Sequence, residues 1–410
     1  MSEDLANRVY AVVEKSPVVD GHNDLLIRLR GLNRYDFDAT DLTLDQSPLG
    51  LHTDLPRLRA GGVGGQFWSV FVPVTLAGES AVTATLEQID AAHQMIERYD
   101  ALRFAGSADD VEAAVRDGRI ASLLGMEGGH SIGDSLGTLR MMYRLGVRYM
   151  TLTHTSNTAW ADSGTDEPAS GGLSPFGHEV VREMNRLGML VDLSHVSPDT
   201  MRAALATSRA PAFFSHSNAL ALCSHPRNVP DDVLDLVRQT DGIVMATFVP
   251  GFLTEAGREW MDALEAAEGR TPAQWEDDNA SEEAYRERRR RREEWLAENP
   301  CPPVSSADVA DHVEYIRDRA GVDAVGIGGD LDGIATTPTD LTDVAAYPRL
   351  LEELARRGWS DAELAKLTYG NVLRVLRRTE QVAARLATET GPSHATIDAL
   401  DGPAGGDAGR

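Results

Sequence analysis

The sequence predicts an α/β fold, a (β/α)8 TIM barrel, and three observations carry that reading. Strand-like apolar runs alternate with segments of helical periodicity along most of the chain. Eight such units can be counted, which favours closure into a barrel over an open sheet. Finally, His22, His154, His195 and His216 close the runs SPVVDGH, YMTLTH, MLVDLSH and APAFFSH, and Glu127 and Asp330 stand the same way after RIASLLGM and DAVGIGG. The carboxyl ends of barrel strands open onto one face, where active sites are built. One histidine in such a place is ordinary packing, but four with matching carboxylates point to a barrel of the metal-dependent hydrolase type.

In chain order, an N-terminal helix over about 3–15 precedes strand 1 at 17–21. A loop rich in Asp and Leu then leads to a short helix near 54–60, and VGGQFWSVFVPV supplies strand 2. Apolar positions at helical spacing over 83–100 and 107–117 precede strand 3, which ends at Glu127. Helices 134–145, 175–187 and 198–207 lead into strands 4, 5 and 6, which end at His154, His195 and His216. Ser197 followed by Pro198 reads as an N-cap with proline in the first turn. Helix 230–239 leads to strand 7, GIVMATFV, and helix 306–320 to strand 8, AVGIGG. Helices near 344–357, 360–368 and 370–388 close the fold, giving one catalytic domain over 1–390. After strand 7 the rhythm breaks for a charged helical insertion, about 251–303, in which Glu287 and Arg291 are spaced to pair. The plain reading is a solvated helical excursion; the alternative is a lid, because insertions after barrel strands emerge on the catalytic face. Residues 391–410, ending in GPAGGDAGR, read as a disordered tail.

Composition narrows the function. The chain has 410 residues, 42% of them hydrophobic, enough for a large core. Its 39 basic and 64 acidic residues give a formal charge of −25, which repels phosphate backbones and anionic lipid, so nucleic acid is not an expected partner. No basic start leads into an apolar stretch, and no run reaches the roughly 18 apolar residues of a membrane span, so a cytoplasmic protein without a membrane anchor is expected. The two cysteines, Cys223 and Cys301, are too few for a disulfide framework.

His22 and Asp24 form a His-x-Asp pair whose side chains point the same way on an extended chain. Imidazole nitrogen with carboxylate oxygen suits zinc, and also manganese, cobalt or iron. The bland alternative has Asp24 capping the following LLIRL segment. Glu127, flanked by glycines in GMEGGH, could bridge two ions about 3.5 to 4 Å apart, with His22 and Asp24 on one and His195 and His216 on the other. Such a pair activates water and polarises a carbonyl, as hydrolysis of an unactivated amide requires. Asp330 or its neighbour Asp332 in GGDLDG would move the proton, and spacing does not choose between them. His154 is left to stabilise a developing oxyanion, and Arg227 in HPRNVPDD to hold a substrate carboxylate. His130 could orient a ligand as a supporting partner, while His52, His93, His178, His225, His312 and His394 read as surface or structural residues.

Taken together, DGHNDL, GMEGGH, YMTLTHTSNTAWAD, VDLSHVS, FSHSNA, RNVPDD and GIGGDLDG resemble the membrane dipeptidase, or renal dipeptidase, family of zinc metallopeptidases, from about residue 7 to 378. The resemblance implies a barrel that cleaves dipeptides with two zinc ions per subunit. It implies that His22 and Asp24 bind one zinc, Glu127 bridges, and His195 and His216 bind the other. It further implies that His154 contacts the scissile carbonyl, Arg227 the C-terminal carboxylate, and Asp330 the amino end and the travelling proton. Substrates would be L-Xaa-L-Xaa and L-Xaa-D-Xaa dipeptides, with opening of β-lactams as a side activity. Animal members are secreted and lipid-anchored, unlike the expectation for this chain. The insertion is longer than expected for those members. Cys223 stands where they have a disulfide cysteine and Cys301 near the partner's position, yet in a reducing compartment free thiols are expected. The expected partners are a small dipeptide and, for assembly, a second copy of the chain. Two rival readings are a different metal-dependent amidohydrolase, acting without a free substrate amine, and a catalytically silent barrel that binds a small ligand.

Overall fold

The computed structural model describes residues 3–268 and 282–402. The centre of the insertion and the last eight residues of the GPAGGDAGR tail lie outside the described residues. Among the described residues nine strands form, all parallel: β1 Val18–Asn23, β2 Val63–Phe71, β3 Leu102–Phe104, β4 Ile120–Glu127, β5 Val147–Thr151, β6 Leu190–Asp192, β7 Phe213–Phe214, β8 Ile243–Ala246 and β9 Val325–Ile327. The order β2-β1-β9-β8-β7-β6-β5-β4 closes on itself because β2 also pairs with β4, in unbroken register from Gly65↔Ala121 to Phe71↔Glu127. The predicted eight-stranded barrel is therefore the observed one. β3, not foreseen, is a three-residue strand on the first half of β4 and stays outside the ring.

Strand residues are buried on both sides, so the strands read as continuous apolar runs. Alternation still decides which core each side chain joins. Val19, Leu123, Tyr149, Phe213, Ile243 and Met245 point into the barrel, while their neighbours Val18, Leu124, Met150, Phe214 and Val244 pack outward under the helices. The interior is filled by aromatic rings, with Phe67 5.3 Å from Tyr149 and Tyr149 5.6 Å from Phe213. Val372, Leu373, Val375 and Leu376 of helix Asn371–Glu389 belong to the same inner cluster. Gly125 makes room for this packing: a Cβ there would stand 2.0 Å from Tyr149 Cζ.

The crossover helices begin where capping chemistry starts them. Ser107, Ser135, Ser174, Ser197 and Ser360 each accept a backbone N–H of the first turn, and Ser305 forms a capping box with Asp308. Pro198 occupies the first turn, as predicted. Helix Leu25–Asn33 follows β1 directly, over the LLIRL segment that the capping alternative for Asp24 concerned.

Three strands stop short of their histidines. β5 ends at Thr151, β6 at Asp192 and β7 at Phe214, not at His154, His195 and His216. The reason is local at β6 and β7: Asp192 Oδ1 accepts the backbone N–H of Ser194 at 3.1 Å and of Ser215 at 2.9 Å, replacing ladder bonds with a side chain. The histidines are thereby released from the pleat and free to turn into the barrel mouth. The C-terminal segment also differs from the expectation of disorder from 391 onward. Arg140 donates to Ser393 O, a turn of helix forms at Ile397–Leu400, and Asp401 accepts from Ser174 Oγ and Phe176 N.

Gly125→Ala should destabilise the fold by about 1–3 kcal/mol, because the inner layer has no slack for a methyl group. The readout is the urea midpoint, and an unchanged midpoint would show that Tyr149 repacks freely.

Candidate metal centre

The predicted donors converge at the mouth. Glu127, at the end of β4, points each oxygen at a different set of imidazoles. Its Oε2 lies 3.3 Å from His22 Nε2, and its Oε1 lies 3.0, 3.5 and 3.7 Å from the Nε2 atoms of His195, His216 and His154. His195 Nε2 and His216 Nε2 are 2.9 Å apart. Asp24 occupies the N-cap position of helix Leu25–Asn33 but makes no capping bond; its Oδ2 meets His22 Nε2 at 3.1 Å. The capping alternative for Asp24 thus gives way. Ligand atoms fall into three overlapping groups, each within 4.8 Å: His22, Glu127 and His216; Glu127, His154 and His195; His22, Asp24 and Asp330. His154, which the residue reading kept apart from metal, stands among the donors.

Two of the imidazoles are aimed from behind. Tyr149 hydroxyl meets His22 Nδ1 at 2.7 Å, and Ser215 Oγ meets His216 Nδ1 at 2.8 Å. Ser215 Oγ in turn donates to Asp192 Oδ2 at 2.6 Å, an oxygen that also accepts from Thr151 Oγ1 at 2.7 Å. Ser69 Oγ donates to Glu127 Oε2 at 3.1 Å. Ser163 Oγ donates to His154 O at 2.6 Å, and Gly164 N to His195 O at 2.7 Å, fixing two histidine-bearing turns to one loop. His130, expected as a supporting partner, meets Val72 O at 3.0 Å. Tyr149, Asp192 and Ser215 stand inside the quoted runs YMTLTH, VDLSHVS and FSHSNA, yet nothing in one sequence distinguishes a hydroxyl that aims a ligand from a packing residue.

The electrostatics favour a cation. Burial and the neighbouring charges of Arg227 and His154 hold His195 well below the usual histidine range, and burial with His22 and Arg227 does the same to His216. Neutral imidazole is the form that coordinates a metal. Burial opposes charge on His22, but Glu127, Tyr149 and Asp24 outweigh it and raise its pKa well above the ordinary value. Burial, aided by Asp24 and Glu127, lifts the Asp330 carboxyl well above its normal range against the pull of His22. Asp24 Oδ1 is buried with no hydrogen-bond partner among the described residues. A Cβ on Gly333 would stand 2.2 Å from Asp24 Oδ2 and 2.4 Å from Asp330 Oδ1, so glycine keeps the two carboxylates together. Asp332 is turned elsewhere: its Oδ1 accepts from His52 N at 2.8 Å and its N–H donates to His52 Nδ1 at 2.9 Å.

The centre lines a cavity of about 570 Å3, within the usual range for ligand sites. Arg227 is buried there; its Nη1 has no partner among the described residues, its Nη2 donates to His216 O at 3.5 Å, and its guanidinium lies 5.3 Å from the Phe252 ring centre. Burial lowers its pKa to about 10, with Asp330 and Glu127 opposing, so it stays cationic at neutral pH. His225, read as a plain histidine, lines the same cavity and stacks on Phe252 at 4.2 Å. The insertion is more than a solvated excursion. Helices Glu255–Glu268 and Glu282–Glu298 contribute Trp260, Met261, Arg288 and Arg292 to the cavity wall, and Arg289 Nη1 anchors the second helix to Leu49 O at 2.6 Å. Only its outer face behaves as expected, with Arg291 Nε on Glu287 at 2.9 Å.

Residues 6–390 match the model of the membrane dipeptidase family, peptidase family M19. The chain belongs to this family. A dipeptidase of Clonostachys rogersoniana is 39% identical over 95% of this chain and 90% of its own length. Dipeptidase 3 of Rattus norvegicus is 39% identical over 92% of this chain and 68% of its own length. A metallopeptidase of Rhodobacter sphaeroides, solved with a phosphinate mimic of L-Ala-D-Ala, superposes with a TM-score of 0.72 at 25% identity, covering 88% of this chain and 99% of that one. The chain is a metallopeptidase of the dipeptidase type, and the family implies a metal cofactor. The buried donor set fits such a group, since imidazole nitrogens and carboxylate oxygens converging in one buried site, with Asp24 Oδ1 unpartnered, are the donors a metal cation takes. Both cysteines are free thiols, and no described helix is long and apolar enough to cross a membrane.

Tyr149→Phe should weaken metal affinity about 10- to 100-fold, the usual cost of losing an outer partner of a ligating histidine. Competition with a fluorescent chelator reads it, and unchanged affinity would make the hydroxyl a packing feature only.

Proposed function

We propose that the chain hydrolyses dipeptides carrying free amino and carboxyl ends, L-Xaa-L-Xaa and L-Xaa-D-Xaa alike, with two zinc ions per subunit. The observation that carries this reading is the pair of charges in one cavity with the donor cluster: the buried, incompletely paired guanidinium of Arg227, and the Asp330 carboxylate beside Asp24. His22 and Asp24 would hold one ion, His195 and His216 the other, and Glu127 both, since its two oxygens already face different imidazoles. Bound there, the metals supply an acidified water and polarise the scissile carbonyl.

The chain's own side chains do the rest. Arg227 receives the substrate carboxylate, an ionic hydrogen bond strengthened by burial. Asp330 accepts hydrogen bonds from the substrate ammonium and carries the proton to the departing amine, a task its raised affinity for protons suits. His154 donates to the scissile carbonyl oxygen as negative charge builds on it. Longer peptides would place a neutral amide where Arg227 or Asp330 expects a charge, so two-ended recognition excludes them. The D-residue tolerance is supported by the related Rhodobacter sphaeroides metallopeptidase, whose bound phosphinate mimics L-Ala-D-Ala. A β-lactam also presents a carboxylate near a strained amide, and its opening is the proposed side activity.

With zinc added, dipeptides should turn over while matched tetrapeptides and N-acetylated dipeptides do not; equal rates on tetrapeptides would refute the clamp, and rapid cleavage of the N-acetyl form would favour an amidohydrolase of another kind. Asp330→Asn should keep its zinc by elemental analysis yet lose about 100-fold or more in kcat, the scale of acid/base assistance. Arg227→Ala should lower kcat/KM by about 10- to 100-fold, the value of a charged hydrogen bond.

A further inference from the structure

Beside Arg227 stands a histidine that the proposed mechanism does not use. His225 is 8% exposed and lines the metal-centre cavity two residues before the arginine. The chain locks its ring from behind: Arg227 N donates to His225 Nδ1 at 3.2 Å, and Asn228 N donates to His225 O at 3.0 Å. The imidazole lies against Phe252, with ring centres 4.2 Å apart and planes 29° from parallel. The Arg227 guanidinium lies over the same ring, 5.3 Å from its centre. One aromatic ring thus sets the positions of both side chains.

That platform is itself tied down. Asn228 Nδ2 donates to Cys223 O at 2.9 Å and to Phe252 O at 2.8 Å, and Cys223 Sγ donates to Gly251 O at 3.5 Å. The loop after β7 and the turn Pro250–Leu253 after β8 therefore hold together as one unit. The protonation of the ring follows from its surroundings. Burial, with the charges of Arg227 and Arg258, lowers the His225 pKa to about 3 against the opposing charge of Glu255, so the imidazole is neutral at physiological pH. A neutral ring carries one N–H, and Nδ1 already accepts, which puts the proton on Nε2. Nε2 has no hydrogen-bond partner among the described residues. Glu255, the acid whose charge reaches it, is taken up by Ser224 N at 2.6 Å and Arg258 Nε at 2.7 Å.

We propose that His225 is a second recognition residue for the carboxyl end of the substrate, its Nε2–H donating to the same carboxylate that Arg227 receives. The inference rests on the dipeptidase reading above and adds to that site a residue the reading does not contain. The pair divides the task. The guanidinium supplies charge, and the imidazole supplies direction without placing a second positive charge beside the first. Fixed by Arg227 N and lying against Phe252, the donor has little freedom left to lose on binding, which is what lets one hydrogen bond count in affinity.

The test compares His225→Asn and His225→Phe with the unsubstituted enzyme, all zinc-loaded, on Ala-Ala and on its C-terminal amide, which lacks the carboxylate. Asparagine keeps an oxygen that can accept the backbone N–H two residues on, and phenylalanine keeps a ring against Phe252, while both remove the Nε2 donor. For Ala-Ala, kcat/KM should fall about tenfold in each variant, the value of one hydrogen bond to a charged group. For the amide, kcat/KM, or Ki against Ala-Ala where the amide is not cleaved, should stay within about twofold. A residue that only shapes the loop would weaken acid and amide alike. That result overturns the proposal, as does an unchanged kcat/KM on Ala-Ala or a loss confined to one variant, and each leaves the dipeptidase reading standing. If the unsubstituted enzyme cleaves no dipeptide, that reading fails, and calorimetry with alanine and alaninamide decides the role of His225 separately. An affinity for alanine lost about tenfold in both variants, with that for alaninamide kept, supports it; equal affinity for alanine, or no binding by the unsubstituted protein, overturns it.

Discussion

The Glu127 carboxylate is buried among the imidazoles of His22, His154, His195 and His216, and the barrel must close for that to happen. A buried charge is costly unless it is paired and hydrogen-bonded. Here the partners come from β1 and from the segments that follow β5, β6 and β7, far apart in sequence. The β2–β4 pairing that seals the sheet is therefore also what sets Glu127 opposite them. Burial opposes ionisation of Glu127, yet His22 and His154 outweigh it and hold its pKa well below the usual range. The carboxylate stays charged, with its two oxygens facing different imidazoles.

Holding those groups in place costs conformational energy, which the large core offsets. His195, Asp330 and Asp332 all adopt positive φ, at 69°, 59° and 68°. Aspartate tolerates this region better than most residues, histidine less so, at roughly 1–2 kcal/mol. Such strain persists where the surroundings over-determine it. Around His195 they do: Gly164 N and Ser163 Oγ both bond its carbonyl. Asp330 N is tied to His22 O at 3.2 Å, coupling the start of the barrel to its last strand. Asp20 strengthens the same junction by accepting from Gly329 N at 2.8 Å and from Tyr347 hydroxyl at 2.7 Å.

The insertion extends this rigid centre outward. Trp260 and Trp295 meet with ring centres 5.7 Å apart, joining its two helices, and Arg289 ties it to the 47–52 loop. A wall built this way can be altered without disturbing the donors, because none of the metal-type residues lies on it. The candidate donors and the insertion that walls their cavity thus come from separate parts of the chain, a division common in barrels whose strands fix catalysis and whose loops vary.

The sequence by itself determined the barrel class and pointed to residues that converge at its mouth. Apolar runs, helix caps and ligand-type residues are local signals, and His22, Asp24, Glu127, His195 and His216 each follow a run that announces a strand. It also carried the pairing of Glu287 with Arg291, a matter of helical spacing alone. What it could not determine depends on what stands opposite. β6 and β7 end before their histidines because Asp192 bonds the backbone that follows each of them. Asp330 and Asp332 part company because His52, hundreds of residues away, engages only the second. The extra strand β3 exists because β4 offers it an edge. Arg288 and Arg292 of the insertion likewise reach the cavity wall only when the chain folds back over the mouth. Tertiary structure decided these points because each rests on a contact between distant segments, and a linear pattern records spacing along the chain but not proximity across it.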